Sequence, residues 1–94
     1  MSTPTGPVSK SWSVQIDLGE HDGMTRAVAR LHTGDRASLT GTGAARLNPA
    51  DRDVPEIGDE LAAARALSEL AHALLEAAAD DISNVLDEPV DLTR

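Results

Sequence analysis

The chain has 94 residues, 8 basic against 16 acidic side chains for a net charge of −8, a single aromatic residue, Trp12, and no cysteine. That length holds one small domain. The lack of cysteine excludes a disulfide framework and thiolate metal sites, no apolar run approaches the roughly 18 residues of a membrane helix, and no polybasic run marks nucleic-acid affinity by charge alone.

Apolar residues make up 40% of the chain, and alanine supplies 15 of them. Alanine buries little area, so the expected core is thin. A second copy is one standard way for a small chain to gain buried area, so a homodimer is expected. The N-terminus lacks a charged start followed by an apolar stretch, so a cytoplasmic domain is expected.

Residues 1–9, with Pro4, Gly6 and Pro7, read as an N-terminal tail. From Ser11 to Leu18 the pattern alternates: Trp12, Val14, Ile16 and Leu18 share one face and Ser11, Ser13, Gln15 and Asp17 the other. That is a half-buried strand. Residues 19–23 read as a loop. A second strand is expected from Met24 to His32, where Ala27, Ala29 and Leu31 alternate with Arg26, Val28, Arg30 and His32. Alanine and arginine also favour helix. The short length and the turn signal Thr33-Gly34-Asp35-Arg36 decide for strand. A third strand is expected from Ser38 to Leu47, with Leu39, Gly41, Gly43, Ala45 and Leu47 on one face. Two glycines on an inner face imply close approach of another backbone, that of a helix lying on the sheet.

Residues 48–52 read as a connector, after which Asp53 caps a helix with Glu56 three residues on. Ile57, Leu61, Ala64, Leu67, Ala71, Leu74, Ala78, Ile82 and Val85 recur at steps of three and four, Leu70 and Leu75 widen the stripe, and Pro89 ends the pattern. The double acid Asp80-Asp81 suggests a break near Ala79, giving a long helix over about 55–78 and a short one over about 80–87. The expected fold is α+β, β-β-β-α-α, a three-stranded antiparallel sheet with the helices on one face. One domain is expected over 10–88, with a C-terminal tail over 89–94. Trp12, Val14, Ile16, Leu61, Leu67 and Leu74 are the expected core or dimer residues.

Charge is unevenly spread. Residues 1–52 balance at +1 and residues 53–94 at −9. The helical part is therefore the acidic part, and Asp59, Glu60, Glu69, Glu76, Asp80 and Asp81 read as a solvated face. Arg65 and Glu69 have the spacing of an ordinary helix pair. Arg26, Arg30 and Arg46, with His32 and Lys10 close by, put a basic surface on the outer side of the sheet against Asp17. Side-by-side guanidinium groups suit phosphates or a partner's carboxylates.

No catalytic set emerges, and neither a metal nor a cofactor is expected. Glu20-His21-Asp22 is a polar turn, because consecutive loop residues seldom converge on one point. Gly41-Thr42-Gly43 lacks the third glycine and the Gly-Lys-Ser/Thr ending of a phosphate loop. A chain of this size leaves little room for a small-molecule pocket of a few hundred Å³.

The stretch ARLNPADRDVPEIGDELAAARALSEL, residues 45–70, resembles an actinobacterial family of unknown function that includes small hypoxia- and dormancy-induced mycobacterial proteins. The resemblance continues in EHDGMTRAVAR, residues 20–30, and in Trp12, and spans about residues 11–88. Seven arginines to one lysine, with much alanine, fit a high-GC actinobacterial source. The resemblance implies a double-stranded-RNA-binding-domain-like fold, usually dimeric and likened to ribosome hibernation factors. The expected function is that of a non-enzymatic stress protein that contacts the ribosome or RNA and slows translation. The alternative is a homodimeric interaction module that docks through its acidic helices without touching nucleic acid.

Overall fold

The computed structural model describes residues 9–34, 38–46 and 55–87. Three strands, β1 (Ser13–His21), β2 (Met24–His32) and β3 (Leu39–Arg46), precede one helix, α1 (Pro55–Leu86). The sheet is antiparallel, in the order β1-β2-β3. The chain is thus α+β, with its helix after and on one face of the sheet. Expectations for residues 1–8, for Asp35 and Arg36, for Leu47, for the connector 48–52, for the Asp53 cap and for Pro89 onward lie outside the described residues.

β1 runs on to His21, three residues past its expected end. The reason is the turn. Asp22 and Gly23 both have positive φ, 53° and 73°, as a two-residue hairpin turn that matches the right-handed twist of the strands requires. Aspartate and glycine are among the residues that adopt this conformation most readily. The two strands then pair without a gap from His21↔Met24 to Ser13↔His32.

Register sets the two faces. Val14, Ile16 and Leu18 lie opposite Leu31, Ala29 and Ala27, so all six share the inner face. Gly43 and Gly41 stand opposite Ala27 and Ala29 on the same side. The buried core among the described residues is Ala27, Ala29, Leu31, Ala45, Ala62, Ala66 and Leu70, with Thr25 beside it. Ile16, Leu39 and Leu74 pack partly against it.

The glycines of β3 take the backbone of α1. A Cβ on Gly41 would collide with the Ala66 carbonyl and the Leu70 amide, and one on Gly43 would stand 2.5 Å from the Ala62 carbonyl oxygen. The helix answers with small residues of its own. Gly58, Ala62 and Ala66 recur every four residues, and a Cβ on Gly58 would sit 2.9 Å from the Thr25 hydroxyl. Small faces small, and the two backbones meet.

This rotates the helix away from the orientation its large apolar residues imply. Leu61 and Leu67 are exposed rather than core, as are Ile57, Ile82 and Val85. Trp12 and Val14 are also exposed, at 56% and 43%. Of the six positions expected in the core or a dimer contact, Ile16 and Leu74 pack partly against the core of the single chain. The cause is lateral placement. α1 lies over β3 and β2 and barely reaches β1, so the inner face of β1 stays uncovered. The helix is also continuous through Ala79, with no break at the double acid. At 1.5 Å per residue its 32 residues extend about 48 Å, against about 30 Å for a nine-residue strand, so its C-terminal part outruns the sheet.

Candidate functional site

The outer face of the sheet, away from α1, carries no covering element among the described residues. Its side chains alternate with the inner row: Ser13, Gln15, Asp17, Gly19 and His21 on β1, Met24, Arg26, Val28, Arg30 and His32 on β2, and Thr40, Thr42, Ala44 and Arg46 on β3. Arg26, Arg30, Arg46 and His32 are therefore on one face, as their sequence parity implies. Arg46 pairs with Met24 and Ala44 with Arg26, so Arg26 and Arg46 are diagonal neighbours, about 7–8 Å apart at the backbone. Arg30 lies two repeats further along β2, past Val28, and His32 stands at the end opposite Ser13.

Asp17 is the one acid on this face among the described strands. Its carboxylate lies 3.9 Å from Arg30 Nε, with both side chains half-exposed or more. It also accepts from Gln15 Nε2 at 3.2 Å. Gly19, Thr40, Thr42 and Ala44 add only small side chains around the arginines, while Val28 stands between Arg26 and Arg30 and Met24 opposite Arg46. Guanidinium groups in this setting suit an extended anionic surface.

Lys10 does not belong to this face. It joins Trp12, Leu31, Leu39, Leu74 and Asp81 around an open cleft of about 570 Å³ on the helix side. The same parity that puts Trp12 inward carries Lys10 with it.

Glu20 and His21 occupy successive strand positions and point to opposite faces. His21 Nε2 sits 3.1 Å from the Asp22 carboxylate in full solvent. These three residues do not converge, and no group of three or more metal-ligating side chains comes together among the described residues. The glycines at 41 and 43 are filled against by the helix, which leaves no room there for a phosphate.

One arrangement escaped the sequence reading. Arg65 and Glu69 do not simply pair along the helix. Glu69 accepts the backbone N–H of Thr42, and its hydroxyl at 3.1 Å. Arg65 Nη1 donates to the Ala44 carbonyl at 2.7 Å. Together they take two of the backbone groups on the outer edge of β3, the Thr42 N–H and the Ala44 carbonyl. The available signal was their four-residue spacing beside the small stripe that meets Gly41 and Gly43.

Residues 10–91 match the Rv2632c-like family. The chain belongs to that family. Its relatives include the uncharacterized proteins Mb1767 of Mycobacterium bovis and MT1780 of Mycobacterium tuberculosis, each 52% identical over 85 residues that cover 90% of this chain and 89% of the relative. The uncharacterized protein Rv2632c of Mycobacterium tuberculosis is 46% identical over 88 residues, 94% of both chains. The crystal structure of Rv2632c superposes with a TM-score of 0.79 at 45% identity, covering 90% of this chain and all of that one. The sheet-and-helix architecture is therefore that of the family. Among the described residues no helix is long and apolar enough to cross a membrane.

Proposed function

We propose that this chain is a non-enzymatic stress protein of the cytoplasm, induced in hypoxia or dormancy, that binds ribosomal RNA through the open face of its sheet and slows translation. The observation that carries the reading is the segregation of charge between the two sides of one thin domain. Arg26, Arg30 and Arg46 stand on an uncovered face with Asp17 as their one acid, while Glu60, Glu69, Glu76 and Asp80 ride on the helix behind the sheet. A net charge of −8 repels RNA at long range, but this layout presents the basic side at contact and turns the acidic side to solvent. Resemblance to proteins likened to hibernation factors supports the ribosome as the target.

The test is co-sedimentation with ribosomes from oxygen-starved cells. The wild-type chain is expected in the ribosomal fractions, and the Arg26→Glu/Arg46→Glu variant in the unbound fraction. Absence of the wild-type chain from ribosomes and from both subunits would refute the reading.

A second reading has one specific observation behind it. Past the sheet, α1 exposes Val85 at 83% and Leu86 at 55%, flanked by Asp81 and Asp87. Such a tip suits a protein partner. Reversal of the sheet arginines leaves that contact intact, which separates the two readings.

A further inference from the structure

At one end of the domain α1 and the sheet part, and the gap between them is lined in an unusual way. Beyond Leu74 the helix turns Ala77, Ala78 and Asp81 toward it. Alanines leave room there that leucines would fill. The result is an open cleft of about 570 Å³, a volume in the range of small-molecule sites. A chain of this length is expected to have little room for such a volume, and the overhang of α1 supplies it.

The floor of the cleft is apolar. Leu31 and Leu39 pair across β2 and β3 at the end of the sheet, and Leu74 walls the helix side. Leu31 is buried, while Leu39 and Leu74 are half-buried. The register of β1 on β2, carried one step beyond Ser13↔His32, sets Trp12 level with Thr33 at the mouth. Trp12 keeps half of its surface in solvent.

The rim is polar. Lys10 is the chain's only lysine and the only base in the lining, just as Trp12 is the chain's single aromatic residue. Lys10 has no ion-pair partner among the described residues. Asp81 stands on the same rim and already has a partner within the chain. An indole at the mouth of an apolar floor takes a flat apolar body. One ammonium beside it takes one negative charge. A second negative charge on the ligand would find no second base and would lie near the Asp81 carboxylate, which selects against polyanions.

We propose that this cleft binds a small amphipathic anion, an aromatic ring system carrying a single carboxylate- or sulfonate-type group, with its rings on Trp12, Leu31, Leu39 and Leu74 and its charge on Lys10. The site lies on the helix side of the sheet, across from Arg26, Arg30 and Arg46. The inference therefore neither rests on the RNA reading nor uses its arginines.

The test compares two probes of similar shape on the full chain. Anilinonaphthalene sulfonate carries the charge and phenylnaphthylamine lacks it. Trp12 is the one intrinsic fluorophore of the tryptophan or tyrosine kind, so its emission reports on the cleft. The sulfonate is expected to bind saturably, one molecule per chain, with quenching of Trp12. Lys10→Met keeps the length of the side chain and removes its charge. It is expected to weaken the sulfonate about fivefold or more and to leave the neutral amine within about twofold. Trp12→Ala removes the ring and Ala78→Leu fills the cleft, so each weakens both probes about fivefold or more, read from probe emission. Asp81→Asn tightens the sulfonate alone. Lys10, Trp12 and Ala78 are exposed, so folding is spared, which far-ultraviolet circular dichroism checks. Unchanged Trp12 emission at saturating sulfonate overturns the proposal. So does equal weakening of both probes by Lys10→Met, or a loss of the same size on Arg26→Ala, whose guanidinium belongs to the far face.

Discussion

Replacing Gly41 by alanine adds one methyl group, and the structure says where it goes. The new Cβ would enter the backbone of α1 at the Ala66 carbonyl and the Leu70 amide, closer than the 3.0 Å below which real Cβ atoms are essentially never found. Backbone atoms of a packed helix cannot rotate aside as a side-chain tip does, so the helix must lift from the sheet. Overpacking of this kind costs about 1–3 kcal/mol. Against that, Gly→Ala at an ordinary φ stabilises by about 0.4–1 kcal/mol through the unfolded chain. The net expectation is a loss of about 1–2 kcal/mol, or roughly 5–15 °C in Tm for a domain of this size. Gly19 is the matched control. It lies in β1 with nothing within 4 Å of an added Cβ, so Gly19→Ala keeps only the favourable term. Urea and thermal unfolding of both variants and the wild type, at equal chain concentration, read the difference. A Gly41→Ala chain as stable as the wild type, or more so, would show that α1 does not seat on β3 as described.

Leu70→Ala is expected to cost about 2–4 kcal/mol, because Leu70 is buried under the sheet, whereas Leu61→Ala is expected to stay within about 0.5 kcal/mol; urea midpoints compare the two, and equal losses would restore the helix face read from periodicity. Glu69→Ala leaves the Thr42 N–H to water and opens the β3 edge, with an expected loss of about 1 kcal/mol and a greater tendency to aggregate on warming; Glu69→Gln retains the acceptor and most of the stability, which thermal unfolding and light scattering check. If three arginines of one chain each neutralise a phosphate, the logarithm of RNA affinity falls with the logarithm of salt at a slope of about −2 to −3, and Arg46→Ala lowers that slope by about 1; a salt titration by fluorescence anisotropy measures it. A slope unchanged by Arg46→Ala removes that residue from the contact.

Strand faces, and with them the placement of Arg26, Arg30, Arg46 and His32 on one surface, were legible from alternation, while the identity of β2 as a strand also needed its short length and the turn signal after it. A period of two assigns each residue a side before any partner is known, so Ala27, Ala29 and Leu31 could be told from Arg26, Arg30 and His32. The same local signal placed Gly41 and Gly43 inward and called for a helix backbone against them. It also ended β1 too early, because residues 19–23 look like a loop when the turn that needs only Asp22 and Gly23 is not yet seen.

The helix face was a different kind of question. Periodicity along α1 gives two apolar stripes, a large one through Leu61 and Leu67 and a small one through Gly58, Ala62 and Ala66. Burial area favours the large stripe, since a leucine covers far more surface than an alanine. Close packing favours the small one, because only small residues fit against two glycines. That contest is settled by pairwise complementarity between elements far apart in the chain, which no local pattern carries. The same docking moved α1 off β1, exposed Trp12 and Val14, and turned Arg65 and Glu69 toward an edge. Composition implied a thin core and a shortage of buried area. The packing of α1 on β3 and β2 located that shortage on β1.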